Sequence, residues 1–260
     1  MPTRKRQDRI SLILKAVQET RGASIRELAE SLGVSEMTVR RDLELLAAES
    51  RIRLVHAGAF PVEGGRESAR AGFSLSSANG AGSEEKMRIG KKAASLVEAG
   101  DVVIIDSGST TEWLARSLPP DLPVTILCFA LNILLEAGRG PSRTVLCAGG
   151  ALNSDTLVFE SPEGLNLVRR YRAGKAFFSA GGVSDRLGVT CVNAPEGELK
   201  KAAIASSQTR ILLADSRKFG SVKPAWFAEL SDFDAIITDS GISVEFVEIM
   251  RERGIALHVV

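Results

Sequence analysis

Apolar residues recur at helical spacing through the first sixty positions. Ile10, Ile13, Leu14 and Val17 fall at i, i+3, i+4 and i+7, an apolar stripe on a helix that Gly22 ends. Ser24-Ile25-Arg26-Glu27 reads as a capping box, and Ile25, Leu28, Ala29 and Leu32 repeat the stripe on a second helix. Gly33 supplies a tight turn, Val34 plugs the corner, and Ser35 caps a third helix whose inner face is Val39, Leu43 and Leu46. Three short helices therefore share one core. After them, Arg51 to His56 has the partial alternation of a short strand, which Ala57-Gly58-Ala59 can turn into a wing.

The pattern then changes twice. From Pro61 to Glu84 glycine, serine and alanine dominate with little apolar periodicity, which predicts a connector hinged at Gly64-Gly65. From Glu85 onward helical and strand patterns alternate. Helices are expected to Glu98, to Leu118, after Phe129, and over Gly164 to Arg170, Glu196 to Ser206 and Val244 to Arg253. Strands are expected over Val102 to Asp106, Val124 to Phe129, Thr144 to Ala148, Ala176 to Ala180, Ile211 to Asp215, Ala235 to Asp239 and Ala256 to Val260. Continuous apolar strands alternating with helices predict a mostly parallel, helix-covered sheet. The expected fold class is α/β, with a winged helix-turn-helix domain over 1–60, a linker over 61–84 and an α/β domain over 85–260.

Composition narrows the function classes. With 44% apolar and 25% charged residues the chain can bury a sizeable core, so disordered and fibrous classes are excluded. The longest apolar stretch, Val124 to Leu135, is too short to span a membrane and Asn132 interrupts it. The charged N-terminus has no apolar signal core, so a cytoplasmic protein is expected. Cys128, Cys147 and Cys191 are widely spaced among apolar residues and fit reduced buried thiols rather than a disulfide framework or a zinc site. No metal and no cofactor is expected.

The net charge of +1 divides unevenly. Before Pro61 there are 11 Lys or Arg against 8 Asp or Glu; after it there are 22 against 24. The basic part coincides with the three helices. The third turns Glu36, Thr38, Arg40, Arg41 and Glu44 outward, the groups that a recognition helix presents to base edges and phosphates. Candidate DNA-binding residues are Ser35, Glu36, Thr38, Arg40 and Arg41 on this helix, with Arg53 and His56 reaching the backbone or minor groove from the wing. A plain packing unit with a solvated charged face explains each stripe singly. It does not explain the conjunction of caps, glycine turn, paired arginines and basic wing, so double-stranded operator DNA is the expected partner.

In open α/β sheets ligands sit at the carboxyl ends of the strands. There the chain places Asp106-Ser107-Gly108-Ser109-Thr110-Thr111, whose amides and hydroxyls converge at a helix N-terminus as phosphate cradles do. Other strand ends add Gly149-Gly150, Gly181-Gly182, the run from Asn193 through Glu196 to Lys200, and Lys218. Each has an ordinary reading: Ser109 or Thr110 as a helix cap, Glu196 and Lys200 as a surface i,i+4 pair, Lys218 as a solvated lysine. Clustered at the binding edge, they point to a small phosphorylated ligand. The candidate effector-binding residues are Asp106, Gly108, Ser109, Thr110, Thr111, Gly149, Gly150, Asn193, Glu196, Lys200 and Lys218.

Glu27-Leu28-Ala29, Val34-Ser35, Thr38 to Leu43 and His56 to Ala59 together resemble the DeoR family of bacterial transcriptional regulators. So do Glu85-Lys86, Asp106 to Thr111, Gly149-Gly150, Asn193 with Glu196 and Leu199-Lys200, and Ala214 to Ser216 with Lys218 to Gly220. The resemblance implies a winged head joined to a sensor similar in fold to ribose-5-phosphate isomerase and glucosamine-6-phosphate deaminase. It also implies a sugar phosphate or related metabolite as inducer at the Asp106 to Thr111 loop, and a repressor of sugar-catabolic genes. The chain departs from the family at Ala57, at Cys128-Phe129-Ala130 in place of a threonine-asparagine pair, and at Gly181 in place of an aspartate.

Two other readings compete. One is an isomerase- or deaminase-like enzyme with a DNA-binding appendage, but such chemistry needs a carboxylate base beside the substrate carbon and Gly181 stands where the isomerase-like aspartate would be. No catalytic residue is expected. The other is a DNA-binding regulator that senses nothing. The expected assembly is a homo-oligomer, a dimer or tetramer, whose second domain spaces the heads over repeated half-sites.

Overall fold

The computed structural model describes residues 9–10, 12–14, 16–17, 23–48, 52–55, 58–61 and 82–260, and divides the chain into two compact units, Met1–Gly72 and Phe73–Val260.

In the first unit Arg9, Ile10, Leu12, Ile13, Leu14, Ala16 and Val17 are helical, followed by α1 (Ile25–Leu32) and α2 (Glu36–Ala48). Ile13, Val17, Ile25, Leu28, Val39, Leu43 and Leu46 bury completely or nearly so in one cluster, which is where the i, i+3, i+4 spacing puts them. Gly33 makes the turn between α1 and α2 with a φ of +62°, a conformation that costs a side-chain-bearing residue energy. An ion pair ties the first helical segment to α2: Arg9 Nε lies 2.7 Å from Oδ2 of buried Asp42. Three strands close the unit, β1 (Ala23–Ser24), β2 (Ile52–Val55) and β3 (Gly58–Pro61), in the order β1-β3-β2. β2 and β3 form an antiparallel hairpin with Val55 opposite Gly58, the wing read from the sequence. Pro61 ends β3 and the next described helix opens at Ser83, so both ends of the expected connector belong to regular elements; 62–81 lie outside the described residues.

The second unit is built on a seven-stranded parallel sheet. Its strands are β4 (Val102–Ile105), β5 (Thr125–Cys128), β6 (Thr144–Cys147), β9 (Ala173–Ser179), β12 (Ser207–Leu213), β14 (Ala235–Thr238) and β15 (Ala256–Val259), ordered β15-β14-β12-β9-β4-β5-β6. Every strand expected from an apolar run is present. Successive residues point to opposite faces, and both faces are covered, which is why the runs are continuous rather than alternating. On one face Ile104, Leu127, Phe178, Leu212 and Ile236 pack with Val168 of α6 (Pro162–Arg170), Leu199 and Ala203 of α7 (Ala194–Ala205) and Met250 of α8 (Val244–Glu252). On the other, Val103, Ile105, Ile126, Phe177 and Leu213 pack with Ile89 of α3 (Ser83–Ala94), Leu114 of α4 (Ser109–Ser117) and Ile133 of α5 (Leu131–Ala137).

α3 stops at Ala94, four residues before the expected Glu98, because the chain turns there on hydrogen bonds from Leu96 and Val97 to Ala93 and Ala94. α3 and α4 approach closely at Gly90, where a Cβ would lie 2.5 Å from Trp113 Cβ. Two small pieces of sheet escape the sequence pattern. One is antiparallel, β10 (Gly182–Ser184), β11 (Gly188–Cys191) and β13 (Ala225–Ala228); the other is the ribbon β7 (Ala151–Leu152) with β8 (Phe159–Glu160). The three cysteines are free thiols, and the sheet brings two that are far apart in sequence side by side: Cys128 and Cys147 are register partners on β5 and β6.

Candidate functional site

In the head unit, α2 opens with the caps expected of it. Ser35 Oγ accepts from the Thr38 amide at 3.3 Å and shares a 2.9 Å hydrogen bond with the Thr38 hydroxyl, so the first turn is held by its own polar side chains. Ser35, Glu36, Arg40, Arg41 and Glu44 are exposed and Thr38 is half-buried, while Val39, Asp42 and Leu43 face inward. Met37, which sequence reasoning passed over as neither inner nor polar, is 64% exposed beside them. An apolar group there can meet a thymine methyl, and the arginines can meet guanine edges or phosphates. Arg53 sits on β2, whose side chains are outside the description, and His56 lies outside the described residues.

In the second unit the carboxyl ends of β4, β9 and β12 surround a cleft lined by Ser107, Gly108, Ser109, Thr110, Thr156, Ser179, Gly181, Cys191, Glu196 and Lys218. Its floor is an ion cluster. Lys200, fully buried, donates from Nζ to Asp106 Oδ2, and to the Ser179 carbonyl at 3.1 Å; Glu196 Oε1 lies 3.3 Å from the same nitrogen. The Ser179 amide donates to Asp106 Oδ2 at 2.9 Å, and Ser107 Oγ lies 3.3 Å from both Asp106 Oδ1 and Glu196 Oε1. Burial opposes the charge on Lys200, but the Asp106 and Glu196 carboxylates outweigh it and hold the ammonium above its usual pKa. Burial pushes Glu196 up against the pull of Lys200. The Glu196–Lys200 pair is therefore an interior pair, not the surface i,i+4 bridge that its spacing also fits.

The loop above the floor is shaped by Gly108. Its φ is +135°, and a Cβ would lie 2.4 Å from Ser179 Oγ, so the chain can pass only as glycine. Gly108 is also the N-cap of α4, and no side chain caps that terminus. The capping alternative for Ser109 and Thr110 is thereby removed: both are buried in the first turn, and Thr111 Oγ1 donates to the Gly108 carbonyl at 3.0 Å. An uncapped helix start with hydroxyls beside it and a lysine across the cleft is suited to a phosphate. Burial pushes Lys218 below its usual pKa and lowers buried Lys86 to about 8, Asp215 partly countering both.

The structure brings together Gly108, Ser109, Thr110, Glu196 and Lys218 at the cleft, with Asp106 and Lys200 directly beneath. Asn193 acts one step back, its Oδ1 accepting from the Glu196 amide at 2.9 Å as the N-cap of α7. Gly149 and Gly150 are not among the cleft residues. The Gly149 carbonyl accepts from Ser161 Oγ at 2.7 Å, and a Cβ on Gly150 would meet the Glu160 carbonyl at 2.4 Å, so this pair fits β8 and α6 together. Sequence reasoning placed Ser107 in the ligand loop without naming it as a candidate, and missed Ser179, Thr156 and Cys191. Thr156 has a buried hydroxyl with no hydrogen-bond partner, and burial pushes the Cys191 thiol up to about 12. Asn132, noted in the sequence as an interruption of an apolar stretch, donates from Nδ2 to the Gly108 carbonyl at 3.2 Å and to Glu112 at 3.0 Å, bracing the loop from α5.

Comparison with known proteins matches residues 9–63 to the DeoR-like helix-turn-helix domain and residues 82–240 to the DeoR C terminal sensor domain. The deoxyribose operon repressor of Escherichia coli K12 is 32% identical over 253 residues, 97% of this chain and 98% of that protein. The HTH-type transcriptional regulator IolR of Bacillus subtilis is 29% identical over 236 residues, 91% of this chain and 92% of that protein. Among solved structures, ribose 5-phosphate isomerase from Methanocaldococcus jannaschii aligns with 53% of this chain and 54% of its own, at 17% identity and a TM-score of 0.39.

Proposed function

The chain belongs to the DeoR family of helix-turn-helix transcriptional regulators and is a DNA-binding regulator; from that premise we propose that it is a repressor of sugar-catabolic genes, released from its operator by a phosphorylated sugar or closely related metabolite. One observation carries the ligand reading. The uncapped N-terminus of α4, with Ser109 and Thr110, shares a single cleft with Lys218 and Glu196. The helix start and the ammonium attract a phosphate, and the Glu196 carboxylate in the same cleft accepts hydroxyl protons, so the cleft carries groups for both parts of a sugar phosphate. Arg40, Arg41 and Thr38 read the operator, with Ser35, Glu36, Arg53 and His56 beside them. The protein acts in the cytoplasm as a dimer or tetramer whose paired heads meet repeated half-sites. No helix among the described residues is long and apolar enough to cross a membrane.

Release requires that the ligand bind the DNA-incompetent arrangement better, because equal affinity for both arrangements shifts nothing. The cleft binds rather than turns over its ligand: Gly181 offers no carboxylate, and Glu196 and Asp106 are engaged with Lys200. Calorimetric titration of the full chain with matched phosphorylated and unphosphorylated sugars tests the reading. Saturable binding of a phosphorylated form, weakened by inorganic phosphate, is expected. Equal binding of both forms, binding of neither across a broad panel, or conversion of the sugar phosphate would overturn it.

A further inference from the structure

Cys128 and Cys147 are separated by eighteen residues in sequence but are opposite one another at the carboxyl ends of adjacent parallel strands. Strand neighbours in register point to the same face, and both sulfurs belong to the layer that packs under α5, with Ile126, Ile133 and Ala137. Adjacent strands run about 4.8 Å apart. Disulfides join Cα atoms separated by about 4.4 to 6.8 Å, so register partners meet the Cα spacing that a bridge needs. The two sites differ in access. β5 is flanked by β4 and β6, and Cys128 is completely buried; β6 is the edge strand, and Cys147 is half-buried.

We propose that this pair is a dithiol modification site, in which a hydroperoxide oxidises Cys147 and Cys128 resolves it to a disulfide between β5 and β6. In the first step the Cys147 thiolate attacks the peroxide; the O–O bond breaks, an S–O bond forms and the departing hydroxide takes a proton to leave as water. In the second the Cys128 sulfur attacks the sulfenic sulfur, the S–O bond breaks, and a second water leaves with the Cys128 proton. Two thiols and one hydrogen peroxide thus become one disulfide and two waters. The division of roles follows from the local chemistry. Cys147 is the reachable sulfur, half-buried on the edge strand, and the neighbouring Cys128 thiol lowers it to about 7 against the effect of burial, while Cys128, completely buried, is pushed up. The edge sulfur is therefore the nucleophile and the interior one the resolving thiol.

The bond would fix the end of the strand that leads into the helix bracing the ligand loop. β5 runs through Phe129 and Ala130 into α5, where Asn132 donates to the Gly108 carbonyl. Cys191 is an internal control, because burial pushes it to about 12 and no other cysteine is its register partner. The test exposes the folded full-length protein to hydrogen peroxide, quenches with excess alkylating reagent under denaturing conditions, and maps linkages by non-reducing peptide mass spectrometry. The expected result is a Cys128–Cys147 cross-linked peptide, reversed by dithiothreitol, with Cys191 alkylated as a free thiol. Cys147→Ser should abolish the cross-link, and Cys128→Ala should leave Cys147 as a trapped sulfenic acid. Oxidation of Cys147 to sulfinic acid in the unaltered protein with Cys128 still alkylated would overturn the proposal, as would selective oxidation of Cys191.

Discussion

Replacing Lys200 with methionine should destabilise the sensor unit by about 3 to 5 kcal/mol, because it leaves Asp106 with a charge, no accessible surface and no cation. The neighbouring Glu196 carboxylate worsens the imbalance, since it lies 3.3 Å from the same ammonium and loses its partner with it. Both tryptophans of the chain, Trp113 and Trp226, lie in the second unit, so their fluorescence during thermal unfolding reports on that unit alone. A drop in midpoint on the order of 10 °C is expected. Adding Asp106→Leu together with Glu196→Gln should recover much of the loss, because neutral side chains can replace a buried ion cluster at modest cost, whereas orphaned charges cannot be accommodated. A Lys200→Met midpoint within about 2 °C of the parent would contradict the role given to this cluster.

The second large effect belongs to the head. Arg40→Ala with Arg41→Ala should reduce operator affinity by roughly 30-fold to ten-thousandfold, at about 1 to 3 kcal/mol for each lost contact. Both side chains are exposed, and the core of the head is Val39, Leu43 and Leu46 on the opposite side of α2, so the head should fold as before. Ligand binding should be unchanged, because the sensor has its own cores. Footprinting that still protects the same operator sequence with the doubly substituted protein would remove α2 from the recognition role.

Much of the architecture was legible because burial imposes a pattern on sequence. The runs Val102 to Ile105 and Ala235 to Ile237 are apolar throughout because helices cover both faces of the sheet. The stripes of the first helices follow from a single shared core. Strands of two or three residues such as β7, β8 and β10 carry no period long enough to detect, and their existence depends on pairing with distant segments.

The site was legible in its loop and less so in its floor. Asp106 to Thr111 stands out because hydroxyls and glycine follow a buried strand. The spacing of Glu196 and Lys200 is that of any exposed helical pair, and only Asp106, ninety-four positions from Lys200, turns it into an interior one. Gly149 and Gly150 look like ligand glycines yet meet Glu160 and Ser161 instead. The pairing of Cys128 with Cys147 was not legible for the same reason: strand register is a property of the sheet, and spacing along the chain does not encode it.

The most direct test of a regulator released by a phosphorylated sugar is the fluorescence anisotropy of the full-length protein on the DNA upstream of its own gene, titrated with matched phosphorylated and unphosphorylated sugars. The account predicts that a phosphorylated form weakens the complex by about 5- to 150-fold, the range of ordinary coupling between two sites, while its unphosphorylated counterpart leaves the affinity unchanged. Unchanged DNA affinity across the whole phosphorylated panel, or equal release by both forms, would contradict it.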